Sequence, residues 1–274
     1  PADHVETVRG FALAVAPAAA VGDRPQIVVA WGKGFGGPSN PTRVSARFVA
    51  ADGRLLPVQT LSAVDSTAAN EYSPRVAIDG NGSVHVAWRR SETEAGIDHE
   101  QVLGNSWSAQ AGAWQPANAS LSGRLIGVGA IGEELSISGD GRLVVWDDRR
   151  GYIGGGGDLH VWHRDDARVR PLNLTPAHAS QGSWRGPGVV LAADRAGNAT
   201  VVWTTVAPRR LMSARFSKRD SAWLPHRHRI DDAATGTGLF LVGAVNEGGD
   251  MLVAWQGPTG PTPAPAEVRT RLFD

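Results

Sequence analysis

The strongest constraint on the fold of this 274-residue chain is a block that ends on tryptophan and recurs at a nearly constant interval. The tryptophans stand at Trp31, Trp88, Trp146, Trp203 and Trp255, at intervals of 57, 58, 57 and 52 residues. Prolines follow with a similar period, at Pro57, Pro116, Pro171 and Pro225, and an aromatic residue precedes each proline by nine positions. Columns that keep register over four repeats indicate a repeat protein in which each block is one supersecondary unit. We therefore expect the five tryptophans to occupy equivalent buried positions.

Each block is predicted to form four short strands, A to D. Strand A alternates apolar and small residues, as in "FALAVA". A turn rich in Asp, Asn and Gly follows, because these residues tolerate the positive φ of tight hairpins. Strand B, as in "VHVAW", is apolar on both faces and must be covered on both sides. Strand C carries the aromatic residue, and strand D begins at the proline, which suits an outer edge. Five such units predict an all-β fold, a single five-bladed β-propeller of four-stranded antiparallel blades.

We predict one propeller domain over residues 1–274. Its repeats are expected at approximately 11–62, 74–121, 134–176, 188–231 and 238–274. The last repeat ends after its strand C, whereas residues 3–9 precede the first strand A and belong to no other unit. We therefore expect the N-terminal and C-terminal strands to close the propeller by pairing residues 3–9 with 266–272. Such closure removes exposed sheet edges.

Composition excludes several classes of function. Lys+Arg and Asp+Glu both number 27, so the chain lacks the basic excess that a nucleic-acid partner requires. No apolar run reaches the roughly 18 residues of a membrane-spanning helix. The absence of cysteine excludes disulfides, thiolate catalysis and Cys-ligated zinc. The chain begins at Pro1 and not at a methionine, which would fit either a mature form after signal removal or a trimmed chain. We expect a secreted or extracellular protein.

The repeats resemble a known sequence pattern. The segments "SPRVAIDGNGSVHVAW" and "GVVLAADRAGNATVVW", with the later "AWQP" and "AWLP", are similar to bacterial propeller repeats of the form p-v-A-x-D-x-x-G-n-a-x-v-x-W … W-x-x-P-x-x-l-s. That family is loosely similar to the Asp-box repeats of sialidases, although the strict order Ser-x-Asp-x-Gly-x-Thr-Trp does not occur here. The resemblance implies a bacterial β-propeller and leaves the activity open, because propellers host unrelated functions.

Residues that occur in one repeat only are the candidates for function. In a propeller, the connections from strand B to strand C and from strand D to the next strand A lie on the face where the central funnel opens. In this chain these connections are predicted to be loops, among them 63–74, 89–99 and 147–158. The candidate ligand-binding residues are Trp184, Arg185, Tyr72, Arg75, Asp147, Asp148, Arg149, Tyr152 and His99. Trp184 lies outside the tryptophan columns, in a glycine-rich segment, and could form a stacking platform for a sugar. Alternatively, it packs against a neighbouring blade.

Other motifs allow alternatives. The acidic residues Glu92, Glu94, Asp98 and Glu100, with Asp147 and Asp148, could supply the paired carboxylates of a glycoside hydrolase. Tyr72 and Arg75 could serve a lyase, and all of these side chains could equally be solvated loop residues. His226 and His228 have no evident third ligand, and "DGNGS" occupies the hairpin position of the repeat, so we predict neither a metal nor a cofactor.

The sequence favours a ligand-binding propeller with one asymmetric site in the funnel, for a carbohydrate or another small molecule. The framework columns repeat but the candidate loop residues do not, which argues against five equivalent lectin sites. The alternative is a carbohydrate-active enzyme, a glycoside hydrolase or polysaccharide lyase, with its active site in the same funnel. The sequence leaves both the presence of catalysis and the oligomeric state open.

Overall fold

A computed structural model describes most of the chain. The described residues are 8–16, 27–33, 42–62, 69–122, 125–126, 131–148, 158–164, 172–173, 189–194, 196–206, 209–224, 228–230, 241–245, 250–258 and 266–273. Every regular element in these ranges is a β-strand, and the strands form five separate antiparallel sheets. No helix in the described ranges is long and apolar enough to cross a membrane. The prediction of an all-β chain is confirmed.

The first two sheets follow the predicted repeat. The first contains β1 (Val8–Val15), β2 (Ile27–Lys33), β3 (Arg43–Val49) and β4 (Gln59–Thr60), paired in chain order. The second contains β5 (Ala69–Ile78), β6 (Val84–Glu94), β7 (Ile97–Ser108), β8 (Ala113–Trp114), β9 (Ala119–Ser120) and β10 (Leu125–Ile126). Its last three strands are short and all pair with β7. Strands A, B and C of the repeat therefore become the three long strands of each sheet.

The other three sheets repeat the same order. The third contains β11 (Ile131–Ile137), β12 (Leu143–Asp148), β13 (Asp158–His163) and β14 (Leu172–Asn173). The fourth contains β15 (Val189–Ala193), β16 (Ala199–Val206), β17 (Arg209–Ser217), β18 (Ala222–Trp223) and β19 (His228–Arg229). The fifth contains β20 (Leu241–Val245), β21 (Met251–Pro258) and β22 (Ala266–Phe273). Among the described strands, β22 pairs only with β21, and residues 3–7 of the predicted closing strand lie outside the described ranges.

The outermost strand departs from the prediction that it begins at the proline. In the second sheet, Trp114 of β8 pairs with Trp107, and Ala119 of β9 pairs with Gly104, on either side of Pro116. The proline lacks the N–H that would continue the ladder, so the strand is interrupted there. The outer edge of the sheet is therefore two short segments that flank the proline.

The structure also corrects the expected B–C connection of the second repeat. Residues 89–99 were predicted as a loop, but β6 runs to Glu94 and β7 begins at Ile97. Ala95 and Gly96 form the turn between them with φ values of 51° and 79°, which is the pattern of a two-residue type I′ hairpin. The polar segment escaped recognition as a strand because neither of its faces shows an apolar alternation. The result is a long hairpin that extends well beyond the repeated Trp88.

The chain divides into two compact units. The first contains Pro1–Ile131, Gly139–Val144 and Trp162–Pro171, and the second contains Gly132–Ser138, Val145–Val161 and Leu172–Asp274. In the first unit, Val28 and Ala30 of the first sheet pack against Val86 and Trp88 of the second. In the second unit, buried apolar residues of the fourth and fifth sheets, including Trp255, form a core. The single domain over residues 1–274 stays a prediction.

The repeated tryptophans are not all equivalent. Trp88, Trp146, Trp203 and Trp255 are buried, as the repeat predicts. For Trp31 the expectation of equal burial is wrong, because its side chain is only half-buried. Trp31 lies opposite Phe11, which is 72% exposed, on a face of the first sheet that is not covered by the described residues. Trp88 is buried because the first sheet covers its face of the second sheet.

Candidate functional site

A cluster of charged and aromatic side chains lies where β5 begins and where the β6–β7 hairpin extends past Trp88. Strand register places Tyr72 directly opposite Arg89, and Glu71 directly opposite Arg90. We call these residues, with Glu92 and Glu100, the hairpin-base cluster. Because alternate residues of a strand point to opposite faces of a sheet, the cluster has two faces.

One face holds an aromatic ring, a cation and a carboxylate. The guanidinium of Arg89 lies over the ring of Tyr72, with Cζ 4.8 Å from the ring centroid, in cation–π geometry. Arg89 Nη2 is also 3.7 Å from Oε2 of Glu100. Glu100 reaches Arg89 diagonally, since its direct partner across the strands is Ser91. Both charged side chains are buried.

A β-bulge brings Arg75 to the same face. The register of β5 and β6 shifts between Tyr72 and Arg75, and Ser73 within the bulge has a φ of 53°. Without the bulge, residues three apart would point to opposite faces. With it, Tyr72 and Arg75 pair with Arg89 and Ala87, which are two residues apart and share a face. Bulges commonly redirect a side chain in this way next to functional sites.

The other face centres on Glu71, whose side chain is fully buried. Ser62 Oγ and Trp88 Nε1 both donate hydrogen bonds to Oε2, the latter at 3.0 Å. Oε1 is 3.7 Å from Nη1 of Arg90 and accepts no hydrogen bond from the described residues. Burial raises the pKa of the Glu71 carboxyl, against the two hydrogen bonds and the charge of Arg90, which act to lower it. Glu71 therefore keeps its proton to a higher pH than an ordinary glutamate.

Arg90 connects two carboxyl groups on this face. Its Nε and Nη2 donate to Oε2 of Glu92, at 3.0 and 2.6 Å, while Nη1 faces Glu71. Glu92 and Glu100 were proposed from the sequence as possible partners in a carboxylate pair. They lie on opposite faces of the sheet, because Glu92 shares a face with its partner His99, and Glu100 is the next residue along the strand. Each of the two is tied to its own arginine.

His99 does not join Tyr72 and Arg75. It lies opposite Glu92, on the face of Arg90, and pairs on its other side with Ile126 of β10. Its buried Nδ1 has no hydrogen-bond partner among the described residues. Of the residues predicted from the sequence, the structure thus brings together Tyr72 and Arg75. Both lie within β5, although Tyr72 was predicted to lie in the loop 63–74.

The remaining predicted residues lie elsewhere or outside the described ranges. Asp147 is half-buried near the end of β12 and Asp148 is the last residue of that strand, although 147–158 was predicted as a loop. The residues outside the described ranges are Arg149, Tyr152, Trp184 and Arg185. Their place in a site stays a prediction.

Sequence reasoning missed Glu71, Arg89 and Arg90. A glutamate in strand A did not single out Glu71, because strand A of the third repeat also carries Glu133 and Glu134. The two arginines directly follow the repeated tryptophan, but they fell in a segment predicted as a loop. Across the described residues there is no group of three or more His, Cys, Asp or Glu side chains that could hold a metal ion.

Comparison with known proteins identifies the fold type. No protein-family model matches the chain, and no curated protein sequence is significantly similar to it. A protein of unknown function from Dyadobacter fermentans has a similar structure, with a TM-score of 0.51 and 10% identity over 98% of this chain and 79% of that one. An alpha-L-arabinanase from Penicillium chrysogenum complexed with arabinobiose has a TM-score of 0.50 and 9% identity over 95% and 80% of the two chains.

The β-propeller domain of the Trilobed protease from Pyrococcus furiosus also matches, with a TM-score of 0.47 and 8% identity over 98% of this chain and 68% of that one. At such identities a structural likeness concerns the fold alone. The two neighbours with TM-scores of 0.50 or above, together with the five sequentially paired antiparallel sheets, show that this chain is similar in fold to β-propeller proteins.

Proposed function

We propose that this chain is a five-bladed β-propeller that binds a carbohydrate at one asymmetric site, of which the hairpin-base cluster forms part. The observation that carries the proposal is the set formed by Tyr72, Arg89 and Glu100. It combines a half-buried aromatic ring with a buried cation and a buried carboxylate on one face. A phenol, a guanidinium and a carboxylate offer the donors and acceptors, and the stacking surface, that bind sugar hydroxyls and rings.

The demands of the fold do not explain this set. The residue after the repeated tryptophan differs in every repeat: it is Gly32, Arg89, Asp147, Thr204 or Gln256. A buried ion pair is a poor source of stability, because the loss of hydration offsets most of the attraction between the charges. Buried charges that do not recur with the repeat are therefore better explained by recognition of a ligand than by packing.

The proposal includes closure by the chain termini and export from the cell. Residues 3–7 of the predicted closing segment 3–9 would pair with the C-terminal strand at 266–272 and complete the fifth blade, since Val8 and Arg9 already belong to β1. Deletion of residues 1–7, which leaves β1 intact, should then lower the melting temperature by several degrees or more, because a lost strand removes many ladder hydrogen bonds. An unchanged melting temperature would contradict closure by this segment and would leave the ligand proposal standing.

A carbohydrate-active enzyme, a hydrolase or lyase, is the second candidate. It is favoured by the raised pKa of Glu71 beside Glu92, which is held by Arg90. A carboxyl group that keeps its proton to a higher pH than usual is the typical general acid of such enzymes. Incubation of the protein with arabino-oligosaccharides and uronic-acid polymers, with detection of new reducing ends and of unsaturated products, tests this candidate.

Binding is tested by titration calorimetry with a panel of neutral and acidic oligosaccharides. The arabinanase relative makes arabinose-containing sugars the first choice. Tyr72→Ala removes the ring under Arg89 and should weaken binding at least about tenfold, the usual effect of losing one aromatic contact. The control is Arg54→Ala, whose guanidinium forms an exposed ion pair with Asp52 in the first sheet. Equal affinities of wild type and Tyr72→Ala, or no binding across the panel, would overturn the proposal.

A further inference from the structure

A second polar cluster lies at the other end of the second sheet, where the turn between β5 and β6 meets residues Gly139–Arg142 and Arg164 of the first unit. Its centre is His85, a buried histidine on β6. The positions that correspond to it in the other repeats, three residues before the tryptophan, are Val28, Leu143, Thr200 and Leu252. His85 is therefore an addition to the framework, and the hairpin-base cluster makes no use of it.

Four side chains form a directed chain of hydrogen bonds. Arg164 Nη2 donates to Ser106 Oγ at 2.8 Å. Ser106 Oγ lies 3.0 Å from His85 Nδ1, and His85 Nε2 lies 3.2 Å from Asp79 Oδ2. The carboxylate of Asp79 can only accept, so Nε2 carries the imidazole proton and donates it, and Nδ1 accepts from the hydroxyl of Ser106. One tautomer of neutral histidine thus satisfies every group in the chain.

A Ser, a His and an Asp in hydrogen-bond contact suggest a hydrolytic triad, but the surroundings exclude this function. Ser106 is buried, and its Oγ already accepts a hydrogen bond from the guanidinium of Arg164. The imidazole also packs on the backbone of Gly141, where an added Cβ would overlap Cδ2 of His85. The side chains of the cluster are thus used to hold two turns together.

We propose that the His85 cluster is an acid-sensitive latch that holds the turn around Gly141 and the side chain of Arg164 against the second sheet. Protonation of His85 would place an N–H donor on Nδ1. That donor would face Ser106 Oγ, whose hydroxyl hydrogen would have to turn away. It would also create a cation beside Arg164, whose Nη1 is 3.3 Å from Nε2. The contact between the neutral imidazole and the guanidinium of Arg164 would become a contact between two cations.

The charged groups around His85 act in opposite directions. Burial and the charge of Arg164 hold the pKa of His85 below its ordinary value of 6.5, whereas the hydrogen bond from His85 to Asp79 and the charges of Asp79 and Asp140 oppose this shift. A histidine whose pKa is lowered by folding stabilises the folded state fully above pH 6.5. Part of that stability is lost as the pH falls from there toward the lowered pKa. The latch is therefore closed at neutral pH and weakened in acid.

The test follows the imidazole signals of the histidines and the amide exchange of residues 139–142 by NMR, from about pH 7.5 to about pH 5, in the full chain. In the wild type, His85 should titrate below 6.5, and the protection factors of these amides should fall as it does so, by about tenfold for each pH unit between the two pKa values. Arg164→Gln keeps a donor for Ser106 but removes the charge, so the His85 titration should move to higher pH.

His85→Gln should keep the donor to Asp79 and abolish the pH dependence of the protection factors. His160→Gln, which removes a histidine that stacks on Trp146, is the matched control and should leave that dependence intact. Titration of His85 at or above 6.5, or unchanged protection of residues 139–142 while it titrates, would overturn the latch. The wild-type and Arg164→Gln titrations decide the matter even if His85→Gln does not fold. The result is independent of the proposed carbohydrate site.

Discussion

The indole N–H of Trp88 donates a hydrogen bond to the buried carboxyl of Glu71, with 3.0 Å between Nε1 and Oε2. Trp88 belongs to the repeat, whereas Glu71 does not. The equivalent indole N–H groups of Trp146 and Trp203 are also buried, and no described residue accepts a hydrogen bond from them. Among these three tryptophans, Trp88 alone thus has a described acceptor for its indole N–H, and that acceptor belongs to the hairpin-base cluster.

The variant Glu71→Gln tests how much the buried charge of Glu71 lowers the stability of the folded protein. The amide oxygen can still accept from Ser62 and Trp88, while Arg90 keeps its bond to Glu92. Because burial raises the pKa of Glu71, wild-type stability should fall as the pH rises from the ordinary value of 4.5 to the raised one. The variant should lack this loss and be on the order of 1 kcal/mol more stable at pH 7, as when a buried charge is removed and its hydrogen bonds are kept.

The measurement is urea unfolding of both proteins between about pH 4 and pH 8. Glu92→Gln is the control, because Glu92 also binds Arg90 but is not fully buried. This variant keeps Glu71, so its stability should still fall with rising pH as that of the wild type does. A Glu71→Gln protein that retains the wild-type fall in stability would show that another group titrates.

Arg89 and Glu100 are predicted to be strongly coupled. Arg89→Met or Glu100→Gln alone leaves a buried partner without its counter-charge, which should cost about 3 kcal/mol of stability. The double variant should cost less than the sum of the two, because neither charge remains. The exposed pair of Arg54 and Asp52 provides the comparison, with a coupling below about 1 kcal/mol. Additive effects at Arg89 and Glu100 would contradict the importance of this buried pair.

Two glycines with positive φ allow strain and steric contact to be separated. Gly141 has a φ of 67°, and a Cβ there would meet His85, whereas Gly96 has a φ of 79° and open space around it. Gly96→Ala should therefore cost about 1 kcal/mol, from the backbone conformation alone. Gly141→Ala adds a clash with a buried ring and should cost about 3 kcal/mol or more. Equal losses in chemical denaturation would show that the turn can move away from His85.

The repeat framework could be predicted from sequence because its signals are local. The Asp and Gly residues of each turn and the apolar run before each tryptophan lie within a few positions of one another. The site depends instead on relationships that span the sheet. The burial of Glu71 requires Ser62 of the preceding repeat, and the common face of Tyr72 and Arg75 requires a bulge at Ser73, a residue type that gives no warning of positive φ. The part of the β6–β7 hairpin beyond Trp88 is polar on both faces, so its pattern could not be distinguished from that of a loop.

The last prediction concerns Trp184, which lies outside the described residues and outside every tryptophan column of the repeat. A tryptophan that the repeat does not require, in the glycine-rich segment "QGSWRGPG", is expected to contact ligand. Trp184→Ala should weaken carbohydrate binding at least about tenfold in calorimetry and leave the melting temperature within about 2 °C of the wild type. The control is Trp223→Ala, which removes the partner of Phe216 in the fourth sheet and should lower the melting temperature without changing affinity. If Trp184→Ala instead melts early and binds normally, Trp184 serves the fold, and the ligand site must be sought around Tyr72 and Arg89 alone.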